Sequence, residues 1–459
     1  MSPILASVSP LAAVMEERPP RIRQVALLLA LASVLRAAVL WTAWDDLDRD
    51  IDGYRELAVN LRQAGVFGWT DPHVSSRVRA TAFRPPLYPL VLSLFVVDGQ
   101  LSPASVAILH LTVGVATIVL AHAVAVRCGL GRWSVLAAAF VAVDPILLNQ
   151  SSRVMTETLA TFFAAASLYV LAYRHDDRSP VNCVGIGVVL GLSVLCRPTF
   201  LPWLVLCVGD VWIAGRTARR RAVHSAAFLA GVAMVLVPWV ARNYARFGHV
   251  KATTTHGGYT LLLGNNPSFY RFLSTGPWGS VWNSEELDRA WQQRHLVPDA
   301  HDPRWSDLAL ARLTLPARSP ATVRDGEFAD DRFAYALARR YMRDRPGMFG
   351  WACLVRLGRF WGVWPHAVTA SESSARRAFR YLVAVWYLVV WVLALTGAGA
   401  QGWALVRNPW RSGVWLCLAF TAVHVFYWTD LRMRAPLTPF LAILAAAGAA
   451  RVAWQASRR

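Results

Sequence analysis

Carboxylates and guanidinium groups fall at particular places along this chain. Asp45, Asp46, Asp48, Asp50 and Asp52 follow the first long apolar run and lead into "GYRELAVNLRQAG". Glu157 stands near the start of another apolar run, in "SSRVMTETLATF". Arg84 precedes a proline pair in "FRPPLYPLVL", and Arg197 sits between two apolar runs in "LCRPTFLPW". Arg242 and Asn243 close a further run, and Arg432 and Arg434 open the last one. Such side chains can work together. Guanidinium groups hold phosphate through charge-assisted, often bidentate bonds. A carboxylate within reach of a hydroxyl can take its proton as that oxygen attacks. Arginine on a leaving phosphate stabilises charge that grows in the transition state.

Each position also has a plainer reading. An acidic run is often a solvated face. A glutamate after Ser or Thr near a helix start can be a cap, and an arginine at a span end can snorkel. Against this, a carboxylate in an apolar span is costly unless it faces the bundle interior and finds a partner.

The elements that must position these groups are membrane spans. The 459 residues are 55% hydrophobic, with a mean hydropathy of +0.36. Runs near 20 residues with almost no charge read as spans rather than core helices. They fall roughly at 24–44, 103–127, 133–149, 155–173, 181–196, 199–214, 222–240, 381–405, 411–428 and 435–454. The expectation is an all-α polytopic membrane protein of about ten spans, with two outer regions, 45–102 and 241–380. The N-terminal module is 24–240, after a cytoplasmic segment 1–23, and the C-terminal spans lie in 381–459.

Orientation follows from arginine. Arg18, Arg21 and Arg23 precede the first span and place the N-terminus in the cytoplasm. Residues 86–98 decide the rest. Read as a full span, they would turn Arg127, Arg132, the run "GRTARRRAV" and Arg407 outward. Read as a partial insertion, they return all of these, with Arg174, Arg178, Arg411, Arg458 and Arg459, to the cytoplasm. An apolar run of about 10–14 residues suits a re-entrant or interfacial segment, and the proline pair fixes an extended approach to a short helix. In the second outer region "WNSEELDRAWQQRH" and "DRFAYALARRYMRDRP" read as surface helices, and 348–364 as an interfacial one. The first apolar run lacks a cleavage site and is expected to remain as an anchor.

The net charge of +19 would point to nucleic acid in a soluble protein. In a polytopic chain it is loop arginine that sets orientation and meets phosphate or anionic lipid, so no nucleic-acid partner is expected. The six cysteines, Cys128, Cys183, Cys196, Cys207, Cys353 and Cys417, show no CxxC or zinc spacing. His256, His295 and His301 lie in the second outer region, where a lone histidine is usually structural.

The ordered series "DIDGYRELAVNLRQAG", "FRPPLYPLVLSLF", "RVMTETLATFFAAASLYVL", "GLSVLCRPTFLPW", "PWVARNYARFGHVKATTTHGGYTLLLGNNP" and "RMRAPLTPFLAILAA" resembles the bacterial GT-C glycosyltransferases of the protein O-mannosyltransferase-like superfamily. That group includes the lipid A aminoarabinose transferases. The resemblance runs through most of the chain, weakest in 280–380, and rests on motif order rather than any single motif. It implies a GT-C bundle with interfacial helices in the first outer loop and inverting transfer of a sugar from polyprenyl phosphate to an acceptor hydroxyl. Asp50, four residues before Tyr54, takes the family's catalytic-base position, with Asp52 the competing choice. Arg84 matches the basic phosphate contact before the Pro-Pro pair, Glu157 a second acidic position, and Arg197, Arg434 and Arg242 further phosphate contacts. Tyr54, Tyr88, Asn243, Asn265 and Asn266 are implied substrate-loop residues. Ile51 stands where the family often has a second acid, so a divalent metal is left as a possible cofactor that the sequence does not support, and no cofactor is certain.

The implied partners are a polyprenyl-phosphate-linked sugar, membrane lipid, and a protein, glycolipid or polysaccharide acceptor. The implied location is a bacterial cytoplasmic membrane with the site facing outward. The alternatives are a transporter or flippase, using Glu157 and the arginines as a polar pathway, and a non-catalytic assembly subunit. The absence by eye of inverted-repeat symmetry weighs against the transporter.

Overall fold

In lipid every backbone amide must be satisfied within its own segment, and so apolar runs become helices. The computed structural model describes residues 22–71, 74–173, 179–215, 217–277, 280–312, 326–365 and 372–458. Arg18, Arg21, Arg174, Arg178, Arg216 and Arg459, which enter the orientation argument, lie outside them. Ten apolar helical segments coincide with the runs read from the sequence. Five are long and apolar enough to cross a membrane: Ile22–Thr42, Pro103–Arg127, Ala218–Phe247, Ser374–Val406 and Leu431–Ala456. A sixth is broken, with Gly131–Ala142 and Pro145–Ser151 bent by 51°. Asp144 and Pro145 make the break, Asp144 Oδ1 accepting from Leu147 N–H at 3.0 Å as the new helix starts. The other four, Glu157–Tyr173, Pro180–Cys196, Pro198–Ile213 and Trp410–Phe426, are shorter. Exposed Leu27, Leu31, Val34, Leu382, Val385 and Leu388 mark faces turned to lipid.

In chain order the helices used below are α1 (Ile22–Thr42), α2 (Tyr54–Ala64), α3 (Leu87–Ser93), α4 (Pro103–Arg127), α5 (Ser134–Ala142), α6 (Pro145–Ser151), α7 (Glu157–Tyr173), α8 (Pro180–Cys196), α9 (Leu201–Ala214), α10 (Ala218–Phe247), α11 (Gly257–Gly264), α12 (Pro267–Thr275), α13 (Glu285–Gln292), α14 (Gly326–Asp344), α15 (Pro346–Trp361), α16 (Ser374–Gln401), α17 (Trp410–Phe426) and α18 (Thr438–Ala456). A hairpin of β1 (Gly68–Asp71) and β2 (Val74–Ala80) pairs antiparallel between α2 and α3. The helical expectation therefore holds, with this one small sheet added.

Two pairs of helices are tightly joined. A Cβ on Gly187 of α8 would lie 2.1 Å from the Phe228 carbonyl oxygen of α10, and one on Gly231 would lie 2.1 Å from that of Val184. Gly397 of α16 and Gly448 of α18 approach in the same way, at 2.0 Å from Leu444 O and 1.9 Å from Leu393 O. Small residues let apolar helices associate in lipid, where burial alone drives little.

Residues 86–98 form no span. The helix there, α3, has seven residues and begins after Pro86. It buries Leu87, Tyr88 and Leu92 against α2 and the bundle. The region after α10 has its own aromatic core, including Phe269, Trp282, Trp305, Leu337 and Tyr341. Its helix α15 buries Arg356 fully. The Arg356 guanidinium donates to Val425 O at 2.6 Å, tying this region to the end of α17.

Candidate active site

The first loop is shaped by Asp50. Its Oδ1 accepts from Arg55 N–H at 3.1 Å and its Oδ2 from Glu56 N–H at 3.0 Å, capping the positive end of α2. The chain turns through Gly53 at φ 74. Arg55 donates to the carbonyl oxygens of Leu47 and Leu101, pinning the loop to the start of α4. Glu56 Oε1 accepts from Thr70 N–H at 2.7 Å, and Asn60 donates to Gly68 O at 2.9 Å. These bonds fasten the hairpin to α2.

Arg84 then reaches back to this loop. Its Nη2 lies 2.9 Å from Asp52 Oδ1, and its Nε donates to Asp52 O at 3.0 Å. The Tyr54 and Phe83 rings flank the guanidinium at 5.6 and 5.3 Å. The strand before Arg84 is held from two sides. Thr81 hydroxyl and Ala82 N–H donate to Glu327 of α14 at 2.7 and 2.6 Å. Arg242 of α10 donates to Thr81 O and Phe67 O, both at 2.7 Å. Burial pushes the Glu327 carboxyl above its ordinary pKa, with these bonds and Arg242 opposing.

A second cluster forms around Glu157, which opens α7 and is 2% exposed. Arg197, where α8 ends, lies 3.2 Å from Glu157 Oε1, and Arg432 lies 3.7 Å from the same atom. Glu157 Oε2 has no hydrogen-bond partner among the described residues. Arg432 is in turn paired with Asp430 at 3.1 Å.

Tyr54 joins the two clusters. Burial lifts its hydroxyl above the usual range, and the charges of Arg84, Asp52, Glu157 and Arg197 all act on it. Acids and arginines from four distant parts of the chain thus meet at one end of the bundle. Beneath Tyr54, Tyr88 packs edge-on at 5.3 Å, and its hydroxyl lies 2.8 Å from His110 Nε2. His110 Nδ1 faces Ser151 O at 2.7 Å. A carbonyl only accepts, so Nδ1 carries the proton and Nε2 accepts from Tyr88.

Among the described residues, no three His, Cys, Asp or Glu side chains gather to hold a metal ion. Glu157 faces two guanidinium groups, surroundings that repel a cation. Glu157 between these cations does not fit a metal ligand.

Residues 83–241 match the family model described as dolichyl-phosphate-mannose-protein mannosyltransferase. The whole fold is similar to that of the Archaeoglobus fulgidus oligosaccharyltransferase. Tethered with an acceptor peptide containing the NVT sequon, that enzyme matches with a TM-score of 0.54 and 12% identity, covering 95% of this chain and 50% of that one. The same organism's AglB, in complex with an inhibitory peptide and a dolichol-phosphate, gives 0.52 and 13% over 94% and 50%. The chain shares the fold of these structures. ArnT from Cupriavidus metallidurans, bound to undecaprenyl phosphate, gives a TM-score of 0.40 and 18% identity over 94% of this chain and 79% of that one. The chain spans about half the length of the archaeal structures it matches. No curated protein matches its sequence.

Within this bundle, the matched segment 83–241 contains Arg84, Glu157, Arg197 and Arg242. Asp50 and Asp52 come from before it and Arg432 from after it. Several residues expected at the site stand elsewhere. Arg434 is fully buried and donates to Phe360 O at 3.1 Å and Gly362 O at 2.7 Å. It faces Tyr387 and Asp144, away from Glu157. Arg242 and Asn243 fasten the hairpin and the Lys251 carbonyl to the end of α10. Asn265 donates to Leu261 O and Phe426 O, and Asn266 caps α12 through Phe269 N–H at 2.9 Å. Both asparagines are fully buried, forming a joint rather than a substrate loop.

Three residues at or beside the site carried little signal in the sequence. Arg432 was visible only as the neighbour of Arg434. Glu327 lies in the segment where the resemblance fades. His256 looked like any lone histidine, yet its ring packs 4.3 Å from Phe83, and the charge of Arg84 acts on it.

Proposed function

We propose that the protein is an inverting glycosyltransferase moving a sugar from a polyprenyl-phosphate donor to an acceptor hydroxyl at the outer face of a bacterial cytoplasmic membrane. One observation carries this reading. Asp52, Glu157 and Asp430 and the cations Arg84, Arg197 and Arg432 meet at the same end of a membrane bundle. A lipid-borne phosphate reaches that level by lateral movement, and arginines are suited to grip it. A first-loop aspartate takes the acceptor proton, the acceptor oxygen attacks the anomeric carbon, and the carrier phosphate leaves with the electron pair of the broken C–O bond. Guanidinium groups stabilise the charge growing on that phosphate. The family match over 83–241 and the archaeal neighbour holding a dolichol-phosphate support the donor class.

The test is glycan and glycolipid profiling of a deletion strain complemented with wild type, Arg84→Gln or Arg197→Gln. Wild type restores a missing sugar and both variants fail to. A deletion that leaves every glycan intact, or variants that restore as well as wild type, would overturn the reading.

A further inference from the structure

Arg84 already has an anion on it, the carboxylate of Asp52, at 2.9 Å. The pair is partly open to solvent, with side chains 17% and 22% exposed. Asp50 and Asp52 differ in how they are held. Both Asp50 oxygens accept backbone N–H groups of α2, which suits a fixed cap. Asp52 sits in the turn between Ile51 and Gly53, and among the described residues its carboxylate contact is the ion pair to Arg84. A phosphodiester arriving at Arg84 must compete with that carboxylate for the same guanidinium fork.

Resting on the transferase reading, we propose that Asp52 is the catalytic base and that Arg84 withholds it until the donor phosphate takes its place. While Arg84 Nη2 occupies Asp52 Oδ1, that oxygen is not free to accept a hydroxyl; displaced by an incoming phosphate, it is. Arrival of the donor therefore frees the base next to the reacting centre. Asp52 then accepts the acceptor O–H proton, and that oxygen forms the new bond to the anomeric carbon. The anomeric C–O–P bond breaks at carbon, its electrons going to the phosphate oxygen, and Arg84 holds the resulting polyprenyl phosphate. When that product leaves, Asp52 loses its proton to solvent and returns to Arg84. Without donor the base is occupied, so the site does not deprotonate hydroxyls idly.

The signature is an opposite response of binding and turnover. Full-length protein in nanodiscs is titrated with undecaprenyl phosphate. Asp52→Asn removes the competing anion and tightens binding about fivefold, the factor expected from an ion pair of about 1 kcal/mol, while failing to restore the missing glycan. The tighter binding itself shows that the variant folds. In an Arg84→Gln background the gain disappears. Unchanged or weaker binding by Asp52→Asn, a gain that persists without Arg84, or full complementation by Asp52→Asn overturns the proposal. Equal competition by inorganic phosphate at the same concentration would assign the exchange to a free anion and overturn its lipid-donor form. If wild type restores no glycan, the transferase reading fails, while the titration still judges the exchange at Arg84.

Discussion

Arg432 and Arg434 stand two residues apart on the 3-10 segment Leu431–Leu437 and serve opposite sides of it. Arg432 lies 3.7 Å from Glu157 Oε1. Arg434 is centred 4.5 Å over the Tyr387 ring and bonds the carbonyls that end α15. With three residues per turn, positions two apart point roughly 240° from each other. One short segment therefore couples the site to a polar hub inside the bundle. That hub includes Asp144, whose Oδ1 accepts from the Tyr387 hydroxyl at 3.2 Å, and the fully buried Arg36, which donates to Val141 O at 3.2 Å.

The two arginines should separate function from stability. Arg434→Gln strands two carbonyls and a buried pocket for a cation, and should cost about 3 kcal/mol. Arg432→Gln removes a cation beside Glu157 and should lower transfer about a hundredfold, as loss of one preorganised donor does, with a small change in melting. Thermal unfolding and complementation, run side by side, read both. An Arg432→Gln protein that melts as early as Arg434→Gln would assign both to the scaffold.

Glu157 is compensated by two guanidinium groups, and its loss leaves them facing each other. Glu157→Gln should cost about 3–5 kcal/mol, as breaking a buried ion pair does. Adding Arg432→Gln relieves the repulsion. The double variant should then be more stable than the sum of the single changes predicts, by about 1–2 kcal/mol. Simple additivity in unfolding would mean that the Arg432 contact contributes nothing.

The bundle was legible because lipid leaves few choices. The ten apolar runs are helical, one of them broken and four shorter than a full crossing, and the seven-residue α3 is too short to be a crossing, as the arginine placement implied. The break at Asp144–Pro145 does have a local signal, an N-cap aspartate before a proline, but the surrounding apolar run reads as one continuous span. At the site, Arg84, Glu157 and Arg197 stood out because charge beside apolar sequence is costly. Composition could not separate Arg432 from Arg434, because the choice between them depends on the phase of a short 3-10 turn. Asn265 and Asn266 misled for a related reason. A Gly-Asn-Asn-Pro run looks like an open loop, whereas here each amide satisfies helix-end groups.

Asp50 and Gly53 shape one turn, and each makes its own prediction. At φ 74, a Cβ on residue 53 would lie 2.3 Å from the Trp69 ring. Gly53→Ala should cost at least about 1 kcal/mol for the left-handed backbone alone and displace Trp69, read as a change in tryptophan fluorescence. Asp50→Ala removes a helix cap worth about 1 kcal/mol. Asp50→Asn keeps one accepting oxygen and should retain most complementation. Complete loss of function in a normally folded Asp50→Asn protein would return the base to Asp50.

His256 gives the second outer region a dependence on acid. Its pKa falls from 6.5 to about 3, burial first and the charge of Arg84 second, and its Nδ1 is buried without a hydrogen-bond partner among the described residues. The folded protein therefore keeps this ring neutral where the unfolded chain protonates it. Below about pH 6.5 the unfolded state binds the extra proton, so stability from this group is complete above that pH and declines as pH falls towards 3. His256→Phe keeps the contact with Phe83 and removes the titration. Melting temperatures at pH 7 and pH 5 should differ more in wild type than in His256→Phe. Equal differences in the two proteins would mean that the ring is already hydrated and charged in the folded state.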